Sequence, residues 1–205
     1  RHLLQQPGVR EEVNDTADAG HVGVVKAMAG HGADVNAADN SGNTAMMGAD
    51  GAGHTEVVEA LAGHGADFNA VADKGFTAVM GAAGAGHTEV VEAPAGHSAD
   101  VNAADNMGST AMMRAARAGH TAVVEALAGH GADVNAADNN GSTAMRGAAS
   151  GGHTAVVEAL AGRGADVNAA SNPGGTALMR AAGMGHTAVV EALAGRGADV
   201  NAADN

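Results

Sequence analysis

Apolar positions along this chain come in short, regularly spaced groups. In residues 105–137, Val123, Val124 and Leu127 fall at i, i+1 and i+4, with Glu125 on the opposite face. That is one apolar stripe on a helix running from Thr121 to about Ala128. Upstream, Ala111-Met112-Met113-Arg114-Ala115-Ala116-Arg117-Ala118 is a run of good helix formers, preceded by Thr110 as its cap and stopped by Gly119. Between such segments stand turn formers, here Asp105-Asn106-Met107-Gly108-Ser109, and an extended piece, Ala132-Asp133-Val134-Asn135, entered through a left-handed Gly131. The pattern predicts a turn followed by two antiparallel helices. At about eight residues each, neither helix would hold alone in water.

The same unit returns at 33-residue steps. Gly-His recurs at 20–21, 53–54, 86–87, 119–120, 152–153 and 185–186, and Gly-Ala-Asp at 32–34, 65–67, 131–133, 164–166 and 197–199. A phased array of this kind buries each unit's apolar face only against its neighbours, so the chain reads as one elongated solenoid. The units fall near 11–38, 39–71, 72–104, 105–137, 138–170 and 171–205, after a poorly ordered leader at 1–10. With no unit after the last, Val189, Val190 and Leu193 are expected to be partly exposed, giving a monomer with some tendency to self-associate at that end.

The repeat resembles the ankyrin repeat. The turn with Asp and Gly, the Thr opening helix one, Ala-Ala, Gly-His, Val-Val-Glu and Gly-Ala-Asp-Val-Asn-Ala stand in that family's order from about Glu11 to Asn205. The resemblance implies an all-α, right-handed solenoid with projecting hairpin-like fingers and a groove lined by fingers and first helices. It also implies a non-catalytic role in binding other proteins.

Several positions depart from the family. Its Thr-Pro-Leu-His becomes Thr44-Ala45-Met46-Met47 and, later, Thr143-Ala144-Met145-Arg146, which removes the preset φ of Pro and puts Met where His would tie repeats together. Ala62, Ala95, Ala128, Ala161 and Ala194 replace a second Leu of helix two, which predicts a thin core. Pro94 lies inside a second helix and Ser98 replaces the Gly after it, a weak joint expected at 90–98. Asp50 stands where later units carry Ala83, Ala116, Ala149 and Ala182.

Composition narrows the function. A formal charge of −13 argues against phosphate-backbone binding, hence no nucleic acid. There is no Cys, no apolar run of membrane-spanning length and no signal-peptide core, so an intracellular setting, cytoplasmic or nuclear, is expected. No cofactor is expected. Of the 11 His, ten form two phased rows with neighbours about one unit apart, a spacing of ~10 Å for stacked helices that does not suit one shared ion. Phosphate-loop, His-Glu-x-x-His and Cys-nucleophile signatures are absent.

Charge divides between faces. Glu56, Glu59, Glu89, Glu92, Glu125, Glu158 and Glu191 lie on second helices, whereas Arg114, Arg117, Arg146 and Arg180 lie on first helices. Lys74 and Phe76 share one finger tip, and Met107 stands on the next. These seven residues are the candidate partner site, and the partner expected is another protein, with an acidic segment facing the Arg side chains. The near-identical copies also fit a second reading: a designed or heavily altered array, or a fragment of a longer natural protein, with no evolved partner.

Overall fold

The structure is a computed structural model describing residues 7–96, 99–172 and 174–202. Among these residues the helices alternate as predicted. They are α1 (Pro7–Asp18), α2 (Val22–Gly30), α3 (Ala45–Ala52), α4 (Thr55–Gly63), α5 (Ala78–Ala85), α6 (Thr88–Gly96), α7 (Ala111–Ala118), α8 (Thr121–Gly129), α9 (Ala144–Gly151), α10 (Thr154–Gly162), α11 (Ala177–Gly183) and α12 (Thr187–Gly195). First helices pack in one row, α1 on α3, α5, α7, α9 and α11, and second helices in another, α2 on α4 through to α12. The described residues form a two-layered helical solenoid. The first helix begins at Pro7, inside the stretch expected to be a leader.

The Val-Val pair shows how the layers are cemented. The first Val of each pair, Val57, Val90, Val123, Val156 and Val189, is fully buried, but Val24, in the first described unit, is 44% exposed. The second Val is buried at Val25, Val58, Val91, Val124 and Val157 and only half-buried at Val190. The first therefore faces the preceding unit and the second faces the following one. This corrects the expectation for the last unit. Val189 and Leu193 are buried against α10 and α11, and only Val190 is left partly uncovered. Each buried Val or Leu contributes about 1.5–3 kcal/mol, so the three in each of α4, α8 and α10 outweigh the poor intrinsic stability of a helix this short.

Ala62, Ala128 and Ala161 are half-buried and sit at the rim of the stack, so the Ala in place of Leu does not hollow the core there. Bulk comes instead from Met46, Met80, Met112 and Met145, all fully buried on first helices. Ser98 lies outside the described residues; the backbone of α6 continues through Pro94, whose side chain also lies outside them. Thr110, Thr143 and Thr176 cap their helices by accepting from the N–H three residues on, at 3.3–3.4 Å. Thr44 and Thr77 are equally buried but make no such bond.

The recurrent dipeptide has a structural cause in the neighbouring unit. His54, His120, His153 and His186 each donate Nε2–H to a backbone carbonyl of the preceding unit, at Asp18, Gly84, Arg117 and Ser150, at 3.0–3.2 Å. The ring lies on the preceding unit's Gly. A β-carbon on Gly53 would stand 2.6 Å from His87, and one on Gly119 would stand 2.7 Å from His153. These glycines also hold φ of +79° and +86°, so both conformation and contact demand Gly.

A second inter-unit tie explains Gly-Ala-Asp-Val-Asn. The Asn102 side chain accepts from the Asp133 N–H at 2.7 Å and donates to the Gly131 carbonyl at 3.1 Å. Asn36, Asn135 and Asn168 repeat the arrangement. Within each unit the Asp carboxylate accepts from the Asn N–H, as Asp133 does from Asn135 at 2.8 Å. Backbone groups of an extended linker are thereby satisfied without a sheet.

Candidate functional site

Three of the fingers are each organised by one carboxylate. Asp105 Oδ1 accepts from the N–H groups of Met107 and Ser109, both at 2.9 Å, and Asp39 and Asp138 do the same in their turns. Finger bases close through single antiparallel bridges, such as Ala104 with Thr110, rather than through strands. Successive fingers join backbone to backbone: Asp73 N–H to Ser41, Asn106 to Lys74, Asn139 to Met107 and Asn172 to Asn140, at 2.8–3.0 Å. The fingers thus form a continuous rim beside the first helices.

The second finger differs from its neighbours. Ala72 replaces the organising Asp, and the turn tightens into a short 3-10 segment, Asp73–Gly75, with Lys74 at φ +65°. A non-glycine residue there is uncommon and strained. Phe76, which follows, turns its ring toward Gly81, where a β-carbon would stand 3.5 Å away. A β-carbon at that distance would make an ordinary contact, so the ring packs beside Gly81 without requiring glycine there.

Arg114 arrives from α7 over this ring, its guanidinium carbon 4.9 Å from the centroid, and its Nη2 donates to Asp105 Oδ2 at 2.7 Å. Such stacking contributes roughly 0.5–2 kcal/mol. Burial works to raise the Asp105 pKa, but the Ser109 N–H, Arg114 and the Met107 N–H outweigh it and hold the carboxyl below its ordinary value. The Arg114 charge is therefore balanced within the protein. Sequence reasoning counted Asp105 only as a turn residue. Its second role depends on how α7 packs beside the finger, and no local spacing signals that.

Two cavities open along the rim. The first, about 340 Å³, is lined by Ser41, Lys74, Phe76, Asp105, Met107 and Arg114, with neighbours from three fingers. The second, about 260 Å³, lies on the far side of Met107 and includes Arg114, Arg117, Asp138 and Ser142. Met107, 67% exposed, belongs to both walls. The structure thus brings Lys74, Phe76, Met107 and Arg114 together and sets Arg117 beside them. Arg146 and Arg180 stand outside both cavities; Arg146 Nη1 donates to Ser142 Oγ at 3.4 Å and Arg180 Nε to Ser150 Oγ at 3.2 Å. The seven Glu of the second helices are all exposed on the other layer.

Among the described residues no three His, Asp or Glu stand together as a metal set, and no helix is long and apolar enough to cross a membrane. In the second His row, His64 Nδ1 donates to the Ala60 carbonyl at 2.8 Å, His31 and His130 are exposed, and His97 lies outside the described residues. No curated relative matches the chain. A family description, ankyrin repeats in sets of three copies, matches residues 15–72, 53–138 and 131–204. Together with the phased helix pairs, the interlocked His and Asn ties and the rim of fingers, that match shows that the chain belongs to the ankyrin-repeat family, whose repeats generally mediate protein–protein interaction.

Proposed function

We propose that the chain is a non-catalytic scaffold that holds a partner protein along the finger rim, centred on the cavities either side of Met107. The observation that carries this reading is the exposed Met107 between two concave, partly apolar walls, with Phe76 and the stem of Arg114 beneath. Apolar side chains of a partner fit the hollows. Lys74 and Arg117 at the margins, with Arg146 and Arg180 further along, favour a partner segment carrying Asp or Glu. Arg114 contributes shape more than charge, because Asp105 already holds it. Exposed ion pairs contribute about 0–1 kcal/mol each, so the cations orient the partner while the apolar contacts supply affinity. An intracellular compartment suits a cysteine-free chain of this kind.

The test is binding of the 205-residue chain to an array of acidic and neutral peptides with one or two apolar anchors. Phe76→Ala with Met107→Ala is expected to abolish the signal. Arg117→Glu with Lys74→Glu is expected to remove its salt dependence, and Glu125→Lys with Glu158→Lys to leave it intact. Binding that survives the first pair but is lost with the outer-layer pair overturns the assignment. Absence of binding to every peptide and to captured protein favours an array without an evolved partner.

A further inference from the structure

Four of the chain's 10 Lys and Arg stand on α7, α9 and α11, and these three helices carry no Asp or Glu. In a chain of formal charge −13 that is a local reversal of sign. We propose that Arg117, Arg146 and Arg180 receive a phosphoryl group, carried on a phosphorylated serine or threonine of the partner segment, a placement that rests on the finger rim being the partner surface.

The three residues surround Gly147. Arg146 precedes it on α9. A β-carbon on Gly147 would stand 3.5 Å from Arg117 Cβ, so the Arg117 stem leaves α7 directly beside it. Arg180 turns back from α11 toward α9, where its Nε donates to Ser150 Oγ at 3.2 Å. Gly147 occupies the register position that Arg114 and Arg180 hold in the units on either side. With no side chain there, it helps to line the cavity beyond Met107, together with Arg117 and Ser142. An anion seated over Gly147 therefore meets cations from three helices with no side chain between.

These cations have little internal counter-charge. Among the described residues the single ion pair is Arg114 with Asp105. Arg117 and Asp138 line the same cavity and offset each other, although Asp138 Oδ1 is already engaged by the Asn140 and Ser142 N–H groups. Arg146 and Arg180 reach only hydroxyls among the described residues. Arg146 Nη1 makes a long bond of 3.4 Å to Ser142 Oγ, and its Nε, shielded from water, has no acceptor.

Two surplus positive charges match the charge of roughly −1.5 to −2 that a phosphoryl group carries near pH 7. Its three outer oxygens can take guanidinium groups from several directions, whereas a carboxylate is filled by one Arg fork. Ser142 and Ser150 accept from the guanidinium groups, so each hydroxyl keeps its own hydrogen to donate to the anion. Continuity with the cavity walled by Met107 favours a peptide over a free anion. A phosphorylated residue over Gly147 leaves the apolar side chains beside it to fill that hollow, which a free anion would leave unused.

The test uses the 205-residue chain and peptides with apolar anchors, each made with Ser, Asp or phosphoserine at one position. Phosphoserine is expected to bind at least about tenfold tighter than Asp. Arg146→Gln with Arg180→Gln is expected to erase that preference while keeping the helical circular dichroism and the binding of the Ser peptides. Phe76→Ala with Met107→Ala is expected to weaken all three forms and to leave phosphoserine ahead of Asp. Phosphopeptides that bind no tighter than their Asp counterparts, or a preference that survives the Arg pair, overturn the proposal even where the rim reading stands. Inorganic phosphate held as tightly as the phosphopeptides overturns it in favour of a free anion. Ser peptides bound at full strength by the Phe76 and Met107 variant, with the phosphoserine preference kept, overturn the rim reading alone.

Discussion

Asp50 offers the sharpest test of the packing account. It sits on α3 with 0% of its surface exposed, and neither carboxyl oxygen has a hydrogen-bond partner. Burial alone raises its pKa from 3.8 to about 8. In the unfolded chain the group ionises near 3.9. Between these values the folded state holds a proton that the unfolded state has released, so stability falls as pH rises, by about 1.4 kcal/mol per pH unit. The contribution is fully present below about pH 4; roughly 4 kcal/mol is lost by pH 7 and roughly 5 by pH 8 and above. Replacing Asp50 with the Ala of later units removes this loss and sacrifices about 1 kcal/mol of contacts. Asp50→Ala is therefore expected to stabilise the second unit by roughly 3 kcal/mol at pH 7, with a gain that shrinks toward acid. Asp50→Asn keeps the shape but not the titration, so it should flatten the pH dependence with a smaller gain, because a buried amide still lacks partners. Urea unfolding by circular dichroism at pH 5, 7 and 8.5 measures the total, and native-state amide exchange in α3 and α4 localises it. If Asp50→Ala and the parent differ by the same amount from pH 5 to pH 8, the carboxyl is not desolvated as described and the reasoning fails.

Three further outcomes follow from the inter-unit ties. Asn102→Ala removes the bonds to the Asp133 N–H and the Gly131 carbonyl, both within reach of water, and is expected to lower stability by about 0.5–1.5 kcal/mol in urea melts, whereas Asn201→Ala, whose side chain makes no bond among the described residues, should change nothing. Gly119→Ala forces a β-carbon into the His153 ring at positive φ, but at Gly185 only the φ penalty applies; the difference in melting temperature between the two variants reports the His seat. Thr143→Ala removes a helix cap and is expected to cost about 1 kcal/mol, while Thr44→Ala, where no cap bond forms, should cost less in the same denaturation assay.

The 33-residue phase, the helix pairs and the buried Val-Val-Leu stripe were legible in the sequence, because helix periodicity and glycine breakers are local and were printed six times. The left-handed Gly131 and the caps at Thr110, Thr143 and Thr176 were legible for the same reason. Tertiary structure decided the rest. Thr44 and Thr77 share the local signal of the other three caps yet form no bond, so that outcome lies in how the units settle on each other. Which Val of each pair looks forward became visible only in the first and last described units, at Val24 and Val190. In the candidate site, sequence placed Arg114 in the groove but could not show that Asp105 neutralises it and Phe76 lies beneath it. Those contacts join a turn, a finger and a helix from two units, and their geometry exists only once the repeats stack.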